Sequence, residues 1–77
     1  MPKISPIDYR ILIKILEHEG AVVVGQKGSH IVMTKKGAKR RLVIPSYKQL
    51  PIFIILNNLK TAGISRDRYL ELLDKLN

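Results

Sequence analysis

The chain has no cysteine. No disulfide framework and no thiolate metal site can be built from it, and this composition suits a reducing cytoplasm, the expected location. Histidine is scarce: only His18 and His30 occur. They fall on different predicted elements, so neither a zinc cage nor a cofactor is expected. Long apolar runs are also missing. The longest, Ile52 to Leu56, is far short of the roughly 20 residues that cross a bilayer. Met1-Pro2-Lys3-Ile4 carries no signal-peptide pattern, so a soluble protein without membrane association is expected. The most informative absence is acid. Between Gly20 and Ser65 there is no Asp or Glu.

What remains in that acid-free segment is basic: Lys27, Lys35, Lys36, Lys39, Arg40, Arg41, Lys48 and Lys60. The formal charge of the 77-residue chain is +8. The acids lie toward the ends, as Asp8, Glu17 and Glu19, then Asp67, Glu71 and Asp74. A basic surface without interspersed acids attracts polyanions such as nucleic acid. The plain alternative is a solvated basic surface. An anionic membrane fits less well, because the charge is not carried by an amphipathic helix with a free apolar face. The length fits one domain, residues 1–77. A chain this small buries only about 60% of its unfolded surface, so any site should be an open surface of a few side chains.

The hydrophobic period gives the elements. Ser5 is a good N-cap, Pro6 suits a first helical position, and Asp8 favours the helix dipole. Ile7, Ile11, Leu12, Ile15 and Leu16 recur at helical spacing, and Gly20 is a natural terminator. Ala21 to Gln26 is short and β-branched, which predicts a strand. Lys27-Gly28-Ser29 is turn chemistry, and His30 to Thr34 is a second strand. A hairpin loop over residues 35–39 leads to a third strand, Arg40 to Ile44, stopped by Pro45. Alternation alone does not say which sheet face His30 joins. Pro51 opens a second helix with a stripe of Ile52, Ile55, Leu56, Leu59 and Ala62, capped by Gly63. Ser65 caps a short last helix carrying Tyr69, Leu70, Leu72, Leu73 and Leu76. The order α-β-β-β-α with an extra C-terminal helix predicts an α+β two-layer sandwich, an order also found in double-stranded-RNA-binding domains.

His30 is the candidate general acid or base of the basic middle. Imidazole exchanges protons near neutral pH. RNA suits such a group, because its 2′-hydroxyl attacks the adjacent phosphorus once deprotonated, and nearby cations stabilise the charge that builds on the phosphoryl oxygens. Lys27 and the Gly28-Ser29 turn adjoin His30, and a tight turn can aim N–H groups at a phosphate. The alternative is a solvated histidine that begins a strand. Arg40 and Arg41 are candidate phosphate contacts. On a strand they would point to opposite faces, so that only one joins His30. Their alternative role is to block edge-to-edge association of the sheet. Tyr47 and Lys48, in the loop before the second helix, can bring a phenol or an ammonium to the site or form an ordinary connection. Phe53 and Ile54 fall outside the core stripe of the second helix. They are either half-covered by the last helix or a surface for a protein partner or self-association.

Four segments carry a resemblance: Gly20-Ala21-Val22, Gln26-Lys27-Gly28-Ser29-His30, Arg41-Leu42-Val43-Ile44-Pro45, and Lys60-Thr61-Ala62-Gly63-Ile64-Ser65. Together they resemble the HicA mRNA-interferase family, also called YcfA-like, over about Ile7 to Leu73. The resemblance implies a fold like that of double-stranded-RNA-binding domains. It also implies a toxin of a type II toxin–antitoxin module, an endoribonuclease that cleaves mRNA without a metal and is neutralised by a HicB antitoxin. By the same resemblance His30 is the catalytic histidine, and Gly28 and Ser29 shape its turn. Lys27, Arg40, Arg41 and Lys48 are the residues expected to bind RNA beside it. Many members have a second histidine where Ile31 stands, a histidine where Tyr47 stands, and Gly-Thr-Leu where Phe53-Ile54-Ile55 aligns. The alternative function is a non-catalytic RNA-binding module on the same fold.

Overall fold

The computed structural model describes residues 4–76. Asn77 lies outside them, as does Met1-Pro2-Lys3, on which most of the signal-peptide expectation rests. The first helix, α1 (Tyr9–His18), starts later than the sequence predicts. Its N-cap is Asp8, not Ser5: the Asp8 carboxylate accepts the Arg10 backbone N–H at 2.9 Å. The reason is tertiary. Ile7 is held in an isolated β-bridge with Leu50, whose N–H donates to the Ile7 carbonyl at 2.7 Å, so the chain stays extended up to Asp8. The Arg10 guanidinium also donates to Asp8 at 3.0 Å, and these hydrogen bonds hold the Asp8 carboxyl down to about 2. At the far end Gly20 and Ala21 donate to the Glu17 and Leu16 carbonyls. This is a Schellman closure, and it buries Ala21 against the core.

Three strands follow: β1 (Val22–Lys27), β2 (His30–Thr34) and β3 (Leu42–Pro45). They form one antiparallel sheet in the order β1-β2-β3. The Ser46 N–H donates to the Ser29 carbonyl at 2.8 Å. Ladder alternation from that bond makes Val32–Val43 and His30–Pro45 the pairs without mutual hydrogen bonds. Proline has no N–H to lose there, and β3 is an edge strand, where proline is tolerated. Pro45 therefore ends β3 from within it. β3 also starts later than predicted, and Arg40 and Arg41 precede it. Extending the ladder beyond Met33–Leu42 would set Arg40 opposite Lys35, and like charges directly opposed are destabilising.

Two further helices complete the chain, α2 (Ile52–Ala62) and α3 (Arg66–Leu76). Gly63 ends α2 at φ +73°, a left-handed geometry that favours glycine. Ser65 caps α3 by accepting the Arg68 N–H at 3.1 Å. This last helix is as long as α2, 11 residues each, not a short appendage. The result is an α+β sandwich of the double-stranded-RNA-binding-domain type, with α3 packed on α1 and α2 on β3.

The core is built from Leu12, Ile15 and Leu16 of α1, Met33, Leu42 and Ile44 of the sheet, Ile55 and Leu59 of α2, and Tyr69 and Leu72 of α3. The predicted α2 stripe is partly wrong. Ile55, Leu59 and Ala62 are buried, but Ile52 and Leu56 are exposed and Asn58 is buried in their stead. The Tyr69 hydroxyl is buried and has no hydrogen-bond partner among the described residues, and burial pushes its ionisation up to about 12. All of β1 is exposed. The register shifts between Val23 and Gly25, leaving Val24 as an unpaired bulge residue. Among the described residues, no helix is long and apolar enough to cross a membrane.

Candidate functional site

The turn before β2 is a two-residue hairpin loop, Gly28-Ser29, closed by the Lys27–His30 pair. Gly28 takes φ +60°, while among the described residues no residue other than glycine has positive φ. This is the pattern of a type II′ turn, whose first central position calls for glycine. The Gln26 side-chain amide donates to the Gly28 carbonyl at 3.1 Å, and the Ser29 carbonyl is taken by Ser46. The turn is thus fixed from both sides, and His30 is the first residue after it.

The sheet face of His30 follows from the burial of its neighbours. Met33, Leu42 and Ile44 point into the core. Side chains alternate along a strand, so His30 and Val32 occupy the opposite, outer face. Cross-strand partners share a face. Lys27 therefore flanks His30 on one side and Pro45 on the other.

On this face His30 lines an open hollow of about 350 Å³. Val43 and Pro45 of β3 form its floor, and Arg40, Arg41 and Tyr47 come from the segments on either side of β3. The fourth wall is α2, through Ile54, Asn57, Asn58 and Thr61. Both arginines reach the same hollow. The expectation that only one would join His30 assumed a strand that the chain does not form at those positions. Tyr47 is turned back toward the sheet by a tight bend in which its N–H donates to the Pro45 carbonyl at 2.8 Å. Its own carbonyl accepts the Tyr9 N–H at 3.0 Å.

The other candidates are placed differently. Lys48 does not line the hollow; its charge acts on Asp8, whose ionisation it helps to lower. Phe53 is 65% exposed, whereas Ile54 is half-buried against the core and edges the hollow. With Ile52 and Leu56, Phe53 forms an exposed apolar flank on α2. Sequence reasoning missed Asn57, Asn58 and Thr61. A pair of asparagines inside a helix was the available signal, since asparagine is a poor former there.

The charge distribution is two-sided. Among the described residues the ion pairs are Arg10–Asp8 at 3.0 Å, Arg68–Glu19 at 3.1 Å, Arg68–Glu71 at 2.6 Å and a His18–Glu19 contact at 3.5 Å. All lie on α1, α3 and their flanking caps. Lys27, Arg40 and Arg41 take part in none of them, so their charge is free to meet an anion. Among the described residues no three His, Cys, Asp or Glu side chains gather as metal ligands. What the hollow offers is an imidazole, two guanidiniums, a phenol, amides and a hydroxyl around an open floor. That set can hold a phosphodiester and move a proton beside it.

The comparison with curated proteins and the comparison with solved structures give no match. Residues 9–64, more than half of the chain, match the family model described as HicA toxin of bacterial toxin–antitoxin, and the chain belongs to that toxin family.

Proposed function

We propose that the chain is an endoribonuclease toxin that cuts RNA in the His30 hollow. The observation that carries this reading is the convergence of His30 with Arg40 and Arg41 on one open surface, with neither arginine in an ion pair among the described residues. His30 takes the proton from a ribose 2′-hydroxyl. The 2′-oxygen attacks the adjacent phosphorus, and the bond from phosphorus to the 5′-oxygen breaks. The products are a 2′,3′-cyclic phosphate and a 5′-hydroxyl, which receives a proton. The arginines meet the charge that builds on the phosphoryl oxygens, and Lys27 adds a cation beside His30. The Tyr47 phenol is the candidate donor to the leaving oxygen. None of these steps needs a cofactor. The partner that neutralises such a toxin is a HicB-type antitoxin, and its seat is the Phe53 flank of α2, next to the hollow.

The alternative, RNA binding without turnover, draws on one observation: among the described residues the His30 side chain has no hydrogen-bond partner to orient it. Catalytic contacts often tighten only when substrate binds, so the enzyme reading stands first. Purified protein incubated with RNA in EDTA should cut it, and induced expression should arrest growth. General acid–base catalysis contributes about 10²–10⁴-fold, so His30→Ala should lose at least about 10² of the rate while still binding RNA. Undiminished cutting by His30→Ala removes the catalytic assignment. Binding without cutting by the unaltered protein selects the alternative.

A further inference from the structure

A second hollow, of about 600 Å³, opens between the loop before β3 and the C-terminal half of α2. Lys39, Arg40 and Lys60 bring three cations to its wall, Asn57 and Thr61 bring neutral donors, and no acid lines it. It is not a separate surface. Arg40, Asn57 and Thr61 line this hollow and the His30 hollow alike, so one wall passes from one to the other. Asn57 and Thr61 are four apart on α2 and share a helix face.

The cations are available. Among the described residues neither Lys39 nor Lys60 is in an ion pair. Lys60 stands in the last turn of α2, where a cation is often explained by the helix carbonyls. Here two of those carbonyls are already served: the Leu59 oxygen accepts the Ile64 N–H at 2.9 Å and the Lys60 oxygen accepts the Gly63 N–H at 3.2 Å. The ammonium is therefore not needed at those two oxygens.

We propose that this second hollow is a backbone subsite for RNA, in which Lys39 and Lys60 hold phosphates flanking the one at His30. The proposal rests on the RNA reading of the His30 hollow and extends it. Arg40 stands at the junction, and Asn57 and Thr61 guide the strand between the hollows. Contacts to phosphates carry no sequence information, so the subsite lengthens the RNA footprint and leaves base preference unchanged.

The test uses the full chain carrying His30→Ala, so that the probe survives, and a fluorescein-labelled oligouridylate of about 12 nucleotides, within the roughly 4–16 nucleotides of common single-strand sites. Adding Lys39→Ala and Lys60→Ala should weaken binding at least about fivefold at moderate salt. It should also flatten the slope of log affinity against log salt by about 1.4, from about 0.7 per phosphate on a single strand. The control, Lys14→Ala with Lys75→Ala, removes the same charge from α1 and α3 and should change affinity less than about twofold. With His30 intact, the Lys39→Ala, Lys60→Ala protein should cut the same RNA with raised KM and unchanged kcat. Equal losses in the two double variants, or no loss in either, overturn the subsite and leave the ribonuclease reading standing. A fall in kcat at constant KM overturns it too, because the lysines would then serve the chemical step. If the His30→Ala parent binds no RNA at low salt, both readings fall together.

Discussion

Asn58 reaches from α2 to the outer edge of β3 and donates its side-chain amide to the Val43 carbonyl at 3.2 Å, while also donating to the Ile54 carbonyl one turn earlier at 3.0 Å. Ladder alternation turns the Val43 carbonyl away from β2, so Asn58 gives an edge oxygen the partner that a further strand would supply. Val43, Ile54 and Asn58 all line the His30 hollow, so the same amide fixes the wall against the floor. Asn58→Leu keeps the volume and removes both donations. It should cost about 1–3 kcal/mol, the usual penalty for a stranded buried polar group. Thermal unfolding should show this as a drop of several degrees, since about 1 kcal/mol moves Tm by about 4–8 °C in a domain of this size. An unchanged Tm would mean that the brace contributes nothing.

The two turn residues should respond differently to alanine. Gly28 is at φ +60°, and a Cβ there meets nothing within 4 Å. The whole penalty of Gly28→Ala is therefore backbone strain, about 1–2 kcal/mol. It falls on the turn that positions His30, so cleavage should drop along with stability. Ser29 has no positive φ, and the structure uses its carbonyl rather than its hydroxyl. Ser29→Ala should stay within about 0.5 kcal/mol of the parent, as ordinary surface changes do. Paired Tm and cleavage assays on both variants check this. Equal destabilisation by the two would contradict the turn geometry.

Phe53 and Ile54 are neighbours in sequence with separate roles. Phe53 is 65% exposed and flanked by exposed Ile52 and Leu56. Phe53→Ser should leave Tm unchanged and weaken antitoxin binding by more than about 1 kcal/mol, the threshold that marks an energetically important interface residue. Ile54 is packed against the core, so Ile54→Ser should lower Tm with or without a partner. Calorimetric titration with the antitoxin, beside unfolding of the free chain, separates the effects. Full-strength binding by Phe53→Ser would move the partner's seat elsewhere.

Acid should weaken the α1–α3 contact. The Arg68 guanidinium donates to both Glu19 oxygens, at 3.1 and 3.2 Å, and holds the Glu19 carboxyl below its ordinary value of 4.5. A carboxyl lowered in the folded state binds a proton more readily when unfolded. Its contribution is therefore complete above the ordinary value and lost as pH falls through the lowered one. Both side chains are partly solvated, so the effect is modest. The Tm gap between the parent chain and Glu19→Gln should be constant near neutrality and close below about pH 4.5. A gap that persists at low pH would assign the contact to something other than the ionised pair.

Local chemistry made much of this legible before the structure. Lys27-Gly28-Ser29 reads as turn chemistry, and β2 runs from His30 to Thr34 as the sequence predicts. Gly20, Gly63 and Ser65 end or begin helices because their backbone needs are met within a few residues. The errors fall where a distant segment decides. Ser5 and Pro6 look like a helix start, but Leu50 holds Ile7 extended. Arg40 and Arg41 look like strand residues, yet the ladder stops before Arg40 would meet Lys35. The hollow itself was half visible. His30 and the arginines stand out by chemistry, but Asn57, Asn58 and Thr61 matter only because α2 lies along β3, which no local pattern announces.

The two sides of the sheet are not equivalent. β3 is occupied at Val43 by Asn58 and flanked by α2, whereas β1 runs open along Val22, Val23 and Val24. Growth of a fibre by strand addition requires each molecule to offer a donor side and an acceptor side, so that contacts repeat head to tail. A molecule with one free side can join only one other along the ladder, and the pair then closes about a two-fold axis with nothing left to extend. α2 and its Asn58 amide together cover the β3 side, so ladder assembly through β1 is bounded at two copies.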